Sequence, residues 1–134
     1  MKKVSTQTGF GILLLLFLLA FYFFVYLPQK DVNYLIQLQN NKIQKGTNAV
    51  LFFRITNGLD FSIQDVVFHY IVGNIQQEFP VNIGTIQANS EILKSVELPT
   101  RDFDSGKYTI WTRLSYSENG VLKEKFLTLQ LEIF

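Results

Sequence analysis

The chain has 134 residues, a formal net charge of +1 and no cysteine, which leaves room for one membrane anchor and one domain of roughly 100 residues. Because Lys2 and Lys3 lie ahead of the first apolar segment, the remainder from Pro28 onward carries a charge of −1, so nothing there draws a nucleic acid through its phosphates. The missing thiols exclude a disulfide framework, a thiolate metal site, a cysteine nucleophile and a bacterial lipoprotein anchor.

Phe10 to Leu27 is an apolar run without a charge. Its eighteen residues, rising ~1.5 Å each, reach roughly 27 Å as a helix, close to the ~30 Å hydrocarbon layer that one span must cross. Pro28, Gln29, Lys30 and Asp31 mark the exit into water, and Tyr22 and Tyr26 suit the interface just before it. Lys2 and Lys3 bias the N-terminus inward, which places the rest outside the cytoplasm. A cleavable signal peptide has a shorter apolar region that ends in small residues, and Tyr26-Leu27-Pro28 offers no such site. The expected organisation is a cytoplasmic stub over 1–9, a transmembrane helix over 10–27, a linker over 28–31 and a β-domain over 32–134. The bilayer is thus the first expected partner.

Beyond the linker, short alternating segments separated by turn residues predict an all-β sandwich of seven or eight strands. The first covers Val32 to Leu38, with Val32, Tyr34, Ile36 and Leu38 on one face. After a polar turn region ending at Gly46-Thr47, the second runs from Asn48 to Thr56. It points Ala49, Leu51, Phe53 and Ile55 one way and Val50, Phe52 and Arg54 the other, and Asn57-Gly58 stops it. A third covers Gln64 to Val72, and Gly73-Asn74 is expected to turn it tightly into a strand over Ile75 to Phe79. Val81 to Ile86 is a further extended piece, and Ile92 to Leu98 a strand that Pro99 ends. Tyr108 to Ser117 and Leu122 to Ile133 form the final hairpin around Asn119-Gly120, with Leu127, Leu129, Leu131 and Ile133 alternating toward the core.

Within this pattern, Asp104-Ser105-Gly106-Lys107-Tyr108-Thr109-Ile110 resembles the Asp-x-Gly-x-Tyr-x-Cys turn of immunoglobulin domains. The resemblance implies a tyrosine corner built from Asp104, Gly106 and Tyr108, in which the hydroxyl bonds back to the chain. Ile110 stands at the cysteine position, and Phe68 takes the place of the strand-three tryptophan. Ile55-Thr56-Asn57-Gly58, Asp65-Val66-Val67, Ile83 to Ser90 and Gly106-Lys107-Tyr108 follow in an order that resembles the cell-adhesion-related (CARDB-like) immunoglobulin-like modules of prokaryotic, in particular archaeal, surface proteins. That resemblance implies a surface location and leaves the ligand open. Lys2 and Lys3, with Gly9-Phe10 as a cleavage point where the apolar run begins, also resemble the leaders of archaellum stator proteins and type IV pilins, and imply a structural subunit of an envelope machine. Leu14 replaces the glutamate that pilins carry, and Pro28 ends the helix where theirs continues.

No catalytic or metal-binding set emerges, and neither a cofactor nor an enzymatic activity is expected. His69 is the only histidine, so a His-based triad or multi-histidine site is out of reach for one chain. Asp102 and Asp104 beside Gly106 lack the spacing of a calcium loop. Glycine-rich phosphate loops, Gly-x-Ser-x-Gly and His-Glu-x-x-His are all absent. What remains is a face. The immunoglobulin-like order that the resemblance implies makes strands three, six and seven neighbours in one sheet; with Val66, Phe68, Tyr70, Val72, Tyr108, Ile110, Leu114 and Tyr116 inward, Val67, His69 and Ile71 then turn outward beside Trp111, Arg113 and Phe126. An apolar group around the only tryptophan needs cover from a protein partner, another copy or the membrane surface, unless a loop or the first strand supplies it.

Overall fold

Alternation in the sequence becomes two face-to-face sheets in the computed structural model, which describes residues 12–20 and 30–134. The strands are β1 (Val32–Leu38), β2 (Lys42–Ile43), β3 (Val50–Asn57), β4 (Ile63–Val72), β5 (Phe79–Ile86), β6 (Ser90–Glu97), β7 (Gly106–Glu118) and β8 (Val121–Ile133). One sheet has the order β1-β3-β6, the other β2-β8-β7-β4-β5. All pairs are antiparallel except β2 with β8. Residues 12–20 are helical and exposed, and the rest of the Phe10–Leu27 segment lies outside the described residues. Among the described residues no helix is long and apolar enough to cross a membrane.

The core fills the space between the sheets with the residues that period-two alternation turns inward. Leu51, Phe53 and Ile55 of β3 meet Val66, Phe68 and Val72 of β4 and Ile110 and Leu114 of β7, all essentially without exposure. At the centre Phe68 stacks on Phe53 with centroids 4.1 Å apart and meets the Tyr34 ring edge-on at 6.1 Å, so it does occupy the central aromatic position. A bulge keeps β4 in phase: Asp65 adopts φ 52° and the register shifts between Ile63 and Val67. Ile63 and Val66 can then both face the core although an odd spacing separates them. Asn119 (φ 51°) and Gly120 (φ 80°) make the two-residue turn of the β7–β8 hairpin, whose left-handed positions match the twist of the strands.

Four expectations need correction. The strand over Ile75 to Phe79 does not form: Gly73-Asn74 does turn the chain tightly, with Ile75 N–H on Val72 O at 3.2 Å, but β4 pairs Tyr70 with Phe79, so residues 75–78 run on as an irregular connection. Phe79 joins Val81–Ile86 in one strand, β5. The polar region before Gly46 contains β2, which runs parallel to the end of β8 and receives the Glu132 N–H on Asn41 O at 2.9 Å. The strand expected from Asn48 begins at Val50, since Ala49 N–H is taken by Thr100 Oγ1 at 2.9 Å. Finally, the inward alternation of β8 is buried only at Leu131 and Ile133; Leu129 is half-buried and Leu127 exposed. The shorter opposing sheet ends before it covers that part of the long hairpin.

Candidate functional site

Register in the larger sheet assembles the outward face. β4 places Val67, His69 and Ile71 opposite Ser115, Arg113 and Trp111 of β7, and β7 in turn places Arg113 and Trp111 opposite Phe126 and Thr128 of β8. Cross-strand partners share a face, so two outward rows run side by side: His69, Arg113, Phe126 and Ile71, Trp111, Thr128. They border a half-open groove of about 800 Å³, which Glu78 and Leu127 also line. Val67 lies one row further along, half-buried and outside the groove.

Trp111 is 54% exposed and Phe126 67% exposed. The first strand does not cover them, because β1 belongs to the opposite sheet. The 73–78 connection borders the face at both ends: Glu78 lines the groove, and Gly73, Asn74, Ile75 and Gln76 share a second, more open pocket with Ile71 and Trp111.

Beside the apolar groups lies a charged network centred on Arg113. Arg113 Nη2 meets Glu78 Oε1 at 2.6 Å and its Nη1 meets Glu124 Oε1 at 3.6 Å. Its Nε is buried and has no hydrogen-bond partner among the described residues. His69 Nδ1 lies 3.2 Å from the same Glu78 oxygen, and its Nε2 lies 3.3 Å from Ser115 Oγ. Burial and then the Arg113 guanidinium lower the His69 pKa below the ordinary histidine value, against the opposite pull of Glu78 and Glu124. A neutral ring at pH 7 donates from Nδ1 to Glu78 and accepts the Ser115 hydroxyl at Nε2. Both carboxylates are thus engaged by Arg113.

The sequence grouped His69, Ile71, Trp111, Arg113 and Phe126 correctly on one face, but it missed Glu78 and Glu124. Glu124 was accessible from the period-two row Glu124, Phe126, Thr128. Glu78 was not, since only the irregular path of residues 73–78 brings it beside Arg113.

The corner lies at the other end of β7. Tyr108 Oη donates to Asp104 O at 2.7 Å, and its ring packs against Phe103 at 5.0 Å and over Gly73. Gly106 sits at φ 155°. The Asp104 carboxylate is engaged by Lys45 at 3.2 Å, and among the described residues no group of three or more histidine or acidic side chains is placed to hold a metal ion.

No protein-family model matches the chain, and no curated protein sequence matches it. Among solved structures, it is similar to a CARDB domain from Pyrococcus furiosus, solved in complex with di-metal ions. Identity is 14%, the TM-score is 0.55, and the match covers 77% of this chain and 92% of that one. It is also similar to the C-terminal domain of Wzt, at 13% identity and a TM-score of 0.55, over 79% of this chain and 75% of that one. At such identities the likeness establishes the fold, a CARDB-like, immunoglobulin-like β-sandwich.

Proposed function

We propose that this chain is a non-catalytic interaction module, tethered to a cell membrane through residues 10–27, whose extracytoplasmic domain over 32–134 engages a protein partner on the Trp111 face. The observation that carries the reading is the exposed pair Trp111 and Phe126, set beside Arg113, which Glu78 and Glu124 flank. A large aromatic left in water on a sheet face costs solvation that a partner recovers, and tryptophan is among the residues on which binding energy concentrates. The apolar length of Phe10–Leu27 and the Lys2/Lys3 bias support the tether and its direction.

Two measurements test this. A protease added to intact spheroplasts should digest the domain; protection until the membrane is permeabilised overturns the topology. A photoreactive phenylalanine analogue in place of Trp111 should yield one adduct of defined mass in native membranes, whereas the same group at Lys94, on β6 of the opposite sheet, should not. Equal adducts from both positions, or none from 111, overturn the binding face. Replacing 10–27 with an unrelated spanning helix separates a simple tether from a stator-like or pilin-like subunit, in which the helix itself is an assembly surface: loss of the Trp111 adduct would favour the latter.

A further inference from the structure

Among the described residues, the β8 edge of the larger sheet is unpaired over most of its length. β2 hydrogen-bonds only to the last residues of β8, so among the described residues Val121 to Leu131 have no strand partner on that side. The direction of the unused groups follows from the part that is covered. Glu132 N–H donates to Asn41 O and Phe134 N–H to Ile43 O, so even-numbered residues of β8 turn their backbone groups toward this edge. The register of β7 with β8 is unbroken, hence Leu122, Glu124, Phe126, Thr128 and Gln130 do the same. Val121, Leu122 and Phe126 also expose most of their side chains.

We infer that the free edge of β8 pairs antiparallel with the β8 edge of a second copy of this chain, about a two-fold axis at Phe126, to join the two five-stranded sheets into one. The occupant follows from self-complementarity. The free segment runs from Val121 to Leu131 and is centred on Phe126, so pairing that uses all of it sets Phe126 against its own copy. Leu122 then faces Gln130, Lys123 faces Leu129, Glu124 faces Thr128, and Lys125 faces Leu127. Even residues meet even residues, as the hydrogen-bonded pairs of an antiparallel ladder require, and no two charges stand directly opposite.

Neighbouring registers fail on charge or on length. Sliding one strand by two residues toward the turn sets Lys125 against Lys125, and a slide by four sets Glu124 against Glu124 and Lys123 against Lys125. A slide the other way runs into β2 at Glu132 and Ile133. Like charges opposite each other in a ladder are destabilising, so the central register is favoured.

Inward-pointing lysines on an edge ordinarily deter such pairing. Here each is already matched within its own chain, Lys125 by Asp31 at 2.9 Å and Lys123 by Glu118 at 3.8 Å. That leaves little net charge where Lys125 approaches its copy diagonally. The Asp31 contact also brings both chains into their domains beside the axis and on the same side of the joined sheet, which two tethers in one bilayer need. The pairing does not depend on what binds Trp111.

Because the chain has no cysteine, an introduced one is its sole thiol. Hydrogen-bonded antiparallel pairs hold their Cα atoms ~5.5 Å apart, within the range a disulfide spans. Full-length chains carrying Glu124→Cys and Thr128→Cys under different tags, coexpressed and oxidised in native membranes, should form a covalent heterodimer. Glu124→Cys alone should not, since the two copies of that residue lie about 13 Å apart along the ladder. Phe126→Cys should dimerise alone. The 124/128 pair retains Phe126, so it tests the register even where loss of that ring weakens association. Three outcomes overturn the inference: no heterodimer from the 124/128 pair; a Phe126→Cys chain that stays monomeric and shielded from a maleimide, which puts another part of the same chain on the edge; or an adduct with a different protein's mass.

Discussion

Asn57 offers the sharpest test of how the sandwich is held closed. It is fully buried, and its Nδ2 reaches Phe61 O at 2.9 Å, Ile86 O at 3.1 Å and Gln87 O at 3.1 Å, while Oδ1 accepts Leu59 N–H at 3.0 Å. One side chain therefore ties the end of β3 to the end of β5 in the other sheet and shapes the loop between β3 and β4. Asn57→Ala removes all of these bonds. The bonds to Ile86 and Leu59 are buried and the other two are part-buried, which gives a loss of about 3 to 4 kcal/mol, a large share of a small domain's stability. Asn57→Asp keeps the acceptor for Leu59 but turns a carboxylate toward carbonyl oxygens. Its pKa in the fold rises above the ~3.9 of an unfolded aspartate, so its deficit is full at neutral pH and shrinks as pH falls through the raised value. Urea denaturation of residues 30–134, followed by far-UV circular dichroism at pH 7 and pH 5, measures both. An alanine variant within about 1 kcal/mol of the parent, or an aspartate deficit that does not change with pH, would refute the reasoning.

Tyr108→Phe should cost about 0.5 to 1 kcal/mol by the same assay, at the low end for a hydrogen bond because its Asp104 acceptor is exposed; an unchanged midpoint removes the corner's contribution. Gly73→Ala should cost more than about 1 kcal/mol, since Gly73 sits at φ +58° and a Cβ there would stand 2.8 Å from Tyr108 Cδ1; a variant as stable as the parent contradicts this. His69 has a folded pKa below its unfolded value of about 6.5, so the unfolded state binds more protons between the two and stability must fall as pH drops through that window. His69→Gln should flatten the slope between pH 7 and 5, leaving the separate loss from Asp31, held low by Lys125, to appear below about pH 4. Trp111→Ala should change stability by less than about 1 kcal/mol, and the parent's tryptophan fluorescence should be water-like and readily quenched by acrylamide; a blue-shifted, protected emission would place Trp111 in a covered environment.

The fold was legible where one face of a strand meets the core and the other meets water. β1, β3 and β4 show this: their alternating residues predicted the buried sets, and Asn119-Gly120 predicted its hairpin. Legibility failed where the pattern depends on what lies opposite. In β8, Leu127 alternates as regularly as Leu131, yet only Leu131 is buried, because alternation records which side a residue faces and carries no information on how far the opposing sheet extends. β2 is two residues long and too short for any period. Gly73-Asn74 reads as a tight turn and forms one, but a strand does not follow it at once, because pairing of Tyr70 with Phe79 depends on a longer route that local propensity does not specify.

The same distinction governs the candidate site. Trp111, Arg113 and Phe126 were placed together from period two and the strand order that the immunoglobulin-like resemblance implied, because a continuous register carries one face across three strands. Arg113 shows where that logic stops. A sheet-face arginine beside apolar groups reads as a free cation ready for an acidic ligand, whereas Glu78 and Glu124 already flank it at 2.6 and 3.6 Å. An acidic partner would have to compete with two carboxylates of the same chain, so under the proposed function recognition on this face falls to the aromatic and aliphatic groups. The expected signature is weak dependence of partner capture on salt, because charges already satisfied within one chain contribute little to association. If the Trp111-dependent adduct is lost steeply as salt is raised, Arg113 is a contact in its own right and the network opens on binding.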